Sequence, residues 1–125
     1  MKGPEVDVYW HLRKKLFSVR SRKTRRVLRH TNGMVLRDVT FVVSEAGRQR
    51  AIRTGQRNVH AYVRGTISYT ERYSLTPDWV ELRYNPFRAP GFTDADGNIH
   101  TAAPLAVLVG GEVYIPPTKE PTHGQ

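Results

Sequence analysis

Residues 6–13 alternate apolar and polar side chains without a break. In an extended chain Val6, Val8, Trp10 and Leu12 share one face, and Asp7, Tyr9, His11 and Arg13 share the other. Wound as a helix, the same residues would scatter their apolar groups around the whole circumference. The segment is therefore predicted to be a half-buried strand, and it commits the chain to a sheet with one wet and one dry face. Residues 16–20 predict a second short strand, joined to the first by the polar link Arg13-Lys14-Lys15. Residues 21–26 hold no apolar side chain and read as an exposed loop. Asn32-Gly33 stands between two apolar arms in residues 27–36, the sequence of a type I′ hairpin, whose two central residues need positive φ. The second arm continues through Val39, Phe41 and Val43. Val59, Ala61 and Val63 predict a long strand over 58–69, with Gly65 marking a bulge or bend. Residues 79–84 predict another. Residues 85–98 read as a long loop, and 105–109 with 112–115 as a closing hairpin turned by Gly110-Gly111.

One segment has helical punctuation. Ser44 is a good N-cap, Glu45 suits the first turn, and Gly55 stands where a C-cap glycine belongs. Gly47 inside it costs about 1 kcal/mol against Ala. Ile52, supported by Ala46 and Ala51, is the expected buried stripe, with Arg48, Arg50, Arg53 and Arg57 around the rest. The expected fold is α+β: an antiparallel-rich small sheet or partly open barrel with one short helix near 44–55. The element order also loosely matches an oligonucleotide-binding barrel. With 125 residues, one basic domain over 1–115 is expected, followed by a polar, mobile tail over 116–125.

Composition excludes several classes. No cysteine is present, so there is no disulfide framework, thiolate zinc site or cysteine nucleophile. No apolar run approaches the roughly 18 residues of a membrane span, and residues 1–7 lack an apolar signal core. No membrane partner and a cytoplasmic location are expected.

Charge points to a partner. The chain carries 20 basic and 11 acidic residues, a net of +9. Residues 1–64 hold 16 basic and 4 acidic side chains, net +12; residues 65–125 hold 4 and 7, net −3. Residues 11–29 contain Arg13, Lys14, Lys15, Arg20, Arg22, Lys23, Arg25, Arg26 and Arg29 and no acid, with Tyr9, Trp10 and Phe17 alongside. Cations for phosphates beside rings for bases are the chemistry of single-strand binding. A solvated loop that aids solubility is the plainer alternative, but so dense a run repels itself unless a polyanion neutralises it. Tyr9, His11 and Arg13 share a strand face and join the candidate site, as do Arg48, Arg50, Arg53, Arg57 and His60. Trp10 is expected in the core.

His30 and His60 are the candidates for an acid–base pair. Nothing in the sequence brings them together, so two unrelated strand histidines is the simpler reading. Residues 94–98 imitate the start of a calcium loop, but the twelfth position is Leu105 rather than Glu and the glycine falls fourth rather than sixth. No metal and no cofactor are expected.

Residues 8–12, 15–19, 36–43, 47–50, 58–65 and 84–87 together resemble small uncharacterised proteins of tailed bacteriophages and proteobacterial prophages. The resemblance spans most of residues 6–115. It implies no activity and transfers no site residue, but it implies a bacterial cytoplasm during infection. The expectation is a non-enzymatic protein that binds nucleic acid or another polyanion. The first alternative is a phage inhibitor or modulator that docks on a host or defence protein. The second is a small metal-independent ribonuclease using His30 and His60.

Overall fold

The alternating N-terminal segment is a strand, and the chain builds a sheet outward from it. The computed structural model describes residues 2–55, 61–68, 75, 77–87 and 91–117. In order these form β1 (Lys2–His11), β2 (Leu16–Ser21), β3 (Val27–Thr31), β4 (Gly33–Val43), α1 (Glu45–Thr54), β5 (Ala61–Ser68), β6 (Val80–Tyr84), β7 (Phe92–Thr93), β8 (Ile99–His100), β9 (Ala102–Val109) and β10 (Glu112–Ile115). Among the described residues the strands make one open sheet in the order β3-β2-β1-β5-β4-β9-β10-β6-β7-β8, antiparallel at each pairing. The α+β expectation holds, as an open sheet of more strands than an oligonucleotide-binding barrel.

That order cannot be flat. β3 and β4 stand four places apart, which is about 19 Å in a flat sheet. A single residue, Asn32, joins them, and such a link spans only about 7 Å. The sheet must roll until the end of β3 meets the start of β4. The core agrees: a residual void of about 20 Å³ is lined by Val8, Phe17 and Val63 from β1, β2 and β5, and by Leu82, Phe92, Leu108 and Val113 from the other half. The concave face carries the dry set, including Val6, Val8, Val19, Leu36, Leu82 and Leu108.

The corner at Asn32 corrects the hairpin expected there. Gly33 does not have positive φ, and β3 and β4 do not pair with each other. A type I′ turn joins strands that are neighbours, and here β2 already holds β3 while β5 and β9 hold β4. The corner is tied by Thr31, whose hydroxyl donates to the Gly33 carbonyl at 2.9 Å and accepts the Gly33 N–H at 3.3 Å. The Gly110 N–H closes it by donating to the Asn32 carbonyl at 3.0 Å.

Gly65 lies opposite a bulge. Asp38 and Val39 on β4 face Gly65 alone, between the pairs Arg37↔Thr66 and Thr40↔Arg64. Asp38 takes φ of 52°, the left-handed region. A Cβ on Gly65 would meet the Arg37 carbonyl oxygen at 3.0 Å and the Leu36 Cβ at 3.3 Å. The extra residue bends β4 and β5 together, which helps the sheet roll.

The helix is capped as its sequence predicts. Ser44 accepts from the Gly47 N–H at 3.0 Å, and Gly55 adopts φ of 71°. Its buried residues are Gly47 and Ala51; Ala46 is exposed and Ile52 only half-buried. The expected Ile52 stripe is therefore one position out: Gly47 and Ala51, four residues apart, take the inward face of the helix. Leu12, placed with the core by alternation, is 45% exposed because β1 ends at His11. The 85–98 loop is not wholly irregular: β7 adds to β6 and buries Phe92. The next turn is organised by Asp94, which accepts from the Asp96 and Asn98 N–H groups and pairs with His100 Nε2 at 2.9 Å. That imidazole, ahead of the backbone donors, holds the Asp94 carboxyl below its ordinary range. Residues 118–125 of the expected tail lie outside the described residues.

Gly65→Ala should destabilise the fold by about 1–3 kcal/mol, the usual cost of overpacking. Urea denaturation measures it; an unchanged midpoint would show that the bulge does not confine this position.

Candidate functional site

The convex face of β1, β2 and β5 carries the polar half of each alternation. Cross-strand register sets its rows. One row is Arg20–Asp7–Arg64, from β2, β1 and β5. The next is Ser18–Tyr9–Tyr62, extended on the β3 side by His30 opposite Ser18. His11 continues the same face of β1 beyond Tyr9.

Asp7 organises the first row. Although charged, it is buried, and it is flanked by two guanidinium groups: Arg64 Nε at 3.0 Å and Arg20 at 3.6 Å. The hydrogen bond that Arg64 donates to Asp7 raises the Arg64 pKa above its already high ordinary value. Each arginine then lies over a ring in the next row. The Arg20 guanidinium carbon is 5.9 Å from the centre of the Tyr9 ring, and that of Arg64 is 5.7 Å from the centre of Tyr62. Arg64 also donates to the Tyr62 hydroxyl at 3.4 Å. One carboxylate thus sets two cations over two neighbouring tyrosines.

The start of α1 stands over the second row and converts the face into a cleft of about 830 Å³. The sheet side contributes Tyr9, Trp10, His11, Arg20 and Tyr62, and the turn after β1 adds Arg13. The helix contributes Ala46, Gly47 and Arg50, which share one face because they are three and four residues apart. No carboxylate is among the described residues that line it. Trp10 also lines it, from the other face of β1, packed edge-on against Phe17 with ring centres 5.0 Å apart and so near Gly111 that a Cβ there would touch its ring at 3.3 Å. It belongs to the core, as expected, while also lining the cleft. A second depression of about 260 Å³ adjoins the first, sharing Arg20 and Tyr62 and adding Asp7, Ser21, Arg22, Arg25 and Arg64.

The acid-free run of residues 11–29 divides between two poles. Arg13, Lys14 and Lys15 are exposed in the turn after β1, beside the cleft. Arg22, Lys23, Arg25 and Arg26 are exposed in the turn after β2, at the opposite end of that hairpin. The strand between spans about 20 Å. Arg20 bridges the poles. Arg22 is tied to Glu5 at 3.2 Å. Arg29 is exposed on the face of β3 opposite His30. Of the helix arginines, Arg50 enters the cleft and Arg53 is exposed outside it. Arg48 is half-buried, 3.6 Å from Glu45. Arg57 and His60 lie outside the described residues.

Three features were beyond sequence reasoning. Tyr62 meets Tyr9, Asp7 anchors two arginines, and His11 stands beside His30, with ring centres 5.7 Å apart. Alternation places each of these residues on its strand face; none of it says which strands adjoin. A separate polar cluster at β6 and β10 joins Arg83 to Glu81 at 2.8 Å and to Glu112 at 3.8 Å. Burial, then a hydrogen bond with Glu81, raises the Glu112 pKa. It shares no residue with the cleft.

Asp7→Ala should cost about 1–3 kcal/mol, a buried-pair loss reduced because both arginines are partly solvated. Asp7→Asn should cost less, since its amide oxygen still accepts. Equal stability of all three proteins in urea would remove Asp7 as the anchor.

A family model described as the Mycobacterium phage L5 gene 82 protein matches residues 1–116. No curated protein and no solved structure matches the chain. No helix among the described residues is long and apolar enough to cross a membrane.

Proposed function

The chain belongs to the Mycobacterium phage L5 gene 82 protein family, and from that premise we propose that it binds single-stranded nucleic acid on the convex face of β1, β2 and β5 in the infected bacterium. The observation that carries this reading is the cleft itself, in which Arg13, Arg20 and Arg50 surround Tyr9 and Tyr62 with no carboxylate among the described lining residues. Phosphates are neutralised by the arginines, and unstacked bases lie on the tyrosine rings. A duplex hides its base faces and cannot use those rings. Stacking contributes about 1–3 kcal/mol per base. The adjoining depression, with Arg22, Arg25 and Arg64, extends the path of the strand. No step of this reading requires catalysis.

The test is fluorescence anisotropy with a labelled oligothymidylate and a labelled duplex at two salt concentrations. The single strand should bind more tightly. Arg13→Ser with Arg50→Ser should lower the salt slope by about 0.7 for each phosphate that is no longer neutralised. Arg53→Ser, outside the cleft, should leave the slope unchanged. Equal binding of duplex and single strand, or a slope unmoved by the cleft pair, would overturn the reading.

A second reading, docking on a host or defence protein, is favoured by one observation. β3 is the edge of the sheet and exposes Val27 (45%) and Leu28 (52%). Retention of a host protein by the wild type that Leu28→Lys abolishes, without any binding of bare oligonucleotide, would select it.

A further inference from the structure

The cleft accounts for His11 as a lining residue but leaves unexplained why a second imidazole, from a different strand, is fixed beside it. His11 ends β1 and His30 lies in β3; β2 runs between them. Their rings meet edge to face, 5.7 Å between centres. Each is anchored through Nδ1. The Lys14 N–H donates to His11 Nδ1 at 3.2 Å, and His30 Nδ1 lies 2.9 Å from Ser18 Oγ. Among the described residues neither Nε2 has a hydrogen-bond partner, and both are left for a ligand.

The two anchors differ in chemistry. A backbone N–H only donates, so His11 Nδ1 must accept. Neutral His11 therefore carries its proton on Nε2 and offers a fixed donor there; a proton on Nδ1 would oppose the Lys14 N–H. Ser18 is a hydroxyl, and a hydroxyl reverses its role by rotating. It donates to neutral His30 and accepts from the imidazolium, so His30 can gain a charge without losing its anchor.

The surroundings favour an anion. Arg13 and Lys14 lie in the adjoining turn, Arg20 and Tyr9 on β2 and β1, and Arg50 across the cleft. The carboxylates on this face of β1 are engaged: Asp7 by Arg20 and Arg64, and Glu5 by Arg22.

We propose that His11 and His30 form a phosphodiester subsite at the end of the cleft, in which both donate through Nε2 and only His30 can gain a charge without losing its anchor. This rests on the nucleic-acid reading and specifies where one backbone phosphate sits. A bound phosphate favours the imidazolium of His30, so binding takes up a proton and affinity rises as pH falls through the imidazole range.

The experiment is anisotropy of labelled oligothymidylate at about pH 8 and about pH 5.5, either side of the ordinary imidazole range. The wild type should bind about tenfold more tightly at the lower pH, the difference between a charged and a neutral hydrogen-bond donor. His11→Ala should weaken binding at both values and keep the pH dependence. His30→Gln, which keeps a neutral donor, should lose most of the gain at low pH. Because His30→Gln disturbs a buried hydroxyl, histidine side-chain resonances of the wild type supply a second measurement: His30 should titrate at higher pH with oligothymidylate bound. A pH gain that persists in His30→Gln, or a His30 titration unmoved by the strand, overturns the subsite while leaving the cleft intact. Absence of binding at both pH values removes the nucleic-acid reading and the subsite with it. Inorganic phosphate at matched ionic strength is the last arm. It should not displace the strand; displacement would mean that the pair holds a free anion and not a strand.

Discussion

A single-residue link decides the architecture. Because only Asn32 separates β3 from β4, two strands four places apart in the sheet must meet at their ends, and the sheet has to roll. Rolling gives the alternating strands their inside and outside. Val6, Val8 and Val19 turn inward against Leu82 and Leu108 from the far half. Asp7, Tyr9 and Arg20 turn outward. The bulge at Asp38, with Gly65 closely opposed, bends the middle of the sheet, while Thr31 and Gly110 pin the corner. Without the roll, one face of so wide a sheet would leave its apolar side chains in water.

The candidate site is a consequence of that geometry. β1 and β5 become neighbours although they are distant in sequence, so Tyr9 and Tyr62 lie side by side. The buried Asp7 carboxylate then places a guanidinium over each ring. Burying that charge alone would be costly, and two arginines with partly wet heads offset the cost. The return of the chain from β4 to β5 through α1 brings Arg50 over the same face. Positive charge that is diffuse in sequence becomes a lined cleft at one pole and an exposed basic turn at the other. Membership of a phage protein family sets the biological context, and the chemistry of the cleft supplies the function proposed for it.

Local signals were legible in the sequence. Period-two alternation located β1 as far as His11, Ser44 and Gly55 bounded α1, and Gly110-Gly111 turned the last hairpin, because each depends on the residues' own conformational preferences. Asn32-Gly33 misled for a physical reason: a turn type is selected by which strands pair, and both candidate arms had other partners. Ile52 misled because side-chain size alone does not say which side of a short helix turns inward, and Gly47 and Ala51 take that side. The site was legible as an inventory but not as an arrangement. Tyr9, His11, Arg13 and Arg20 could be named, yet Tyr62 beside Tyr9 and His30 beside His11 follow from strand order, which no local pattern encodes. The acid-free basic run likewise reads as one patch in sequence and occupies two ends of a hairpin in space.

In the function proposed, the nucleic-acid strand lies on the convex face of β1, β2 and β5. Backbone amide spectra of isotope-labelled protein, recorded while unlabelled oligothymidylate is added, test it most directly. Shifts should concentrate at Tyr9, His11, Arg13, Arg20, Gly47, Arg50 and Tyr62, while Glu81, Arg83 and Glu112 stay still. Shifts confined to Arg22, Lys23, Arg25 and Arg26, or spread evenly over the exposed arginines, would mean that charge alone draws the strand and that the cleft has no part in binding it.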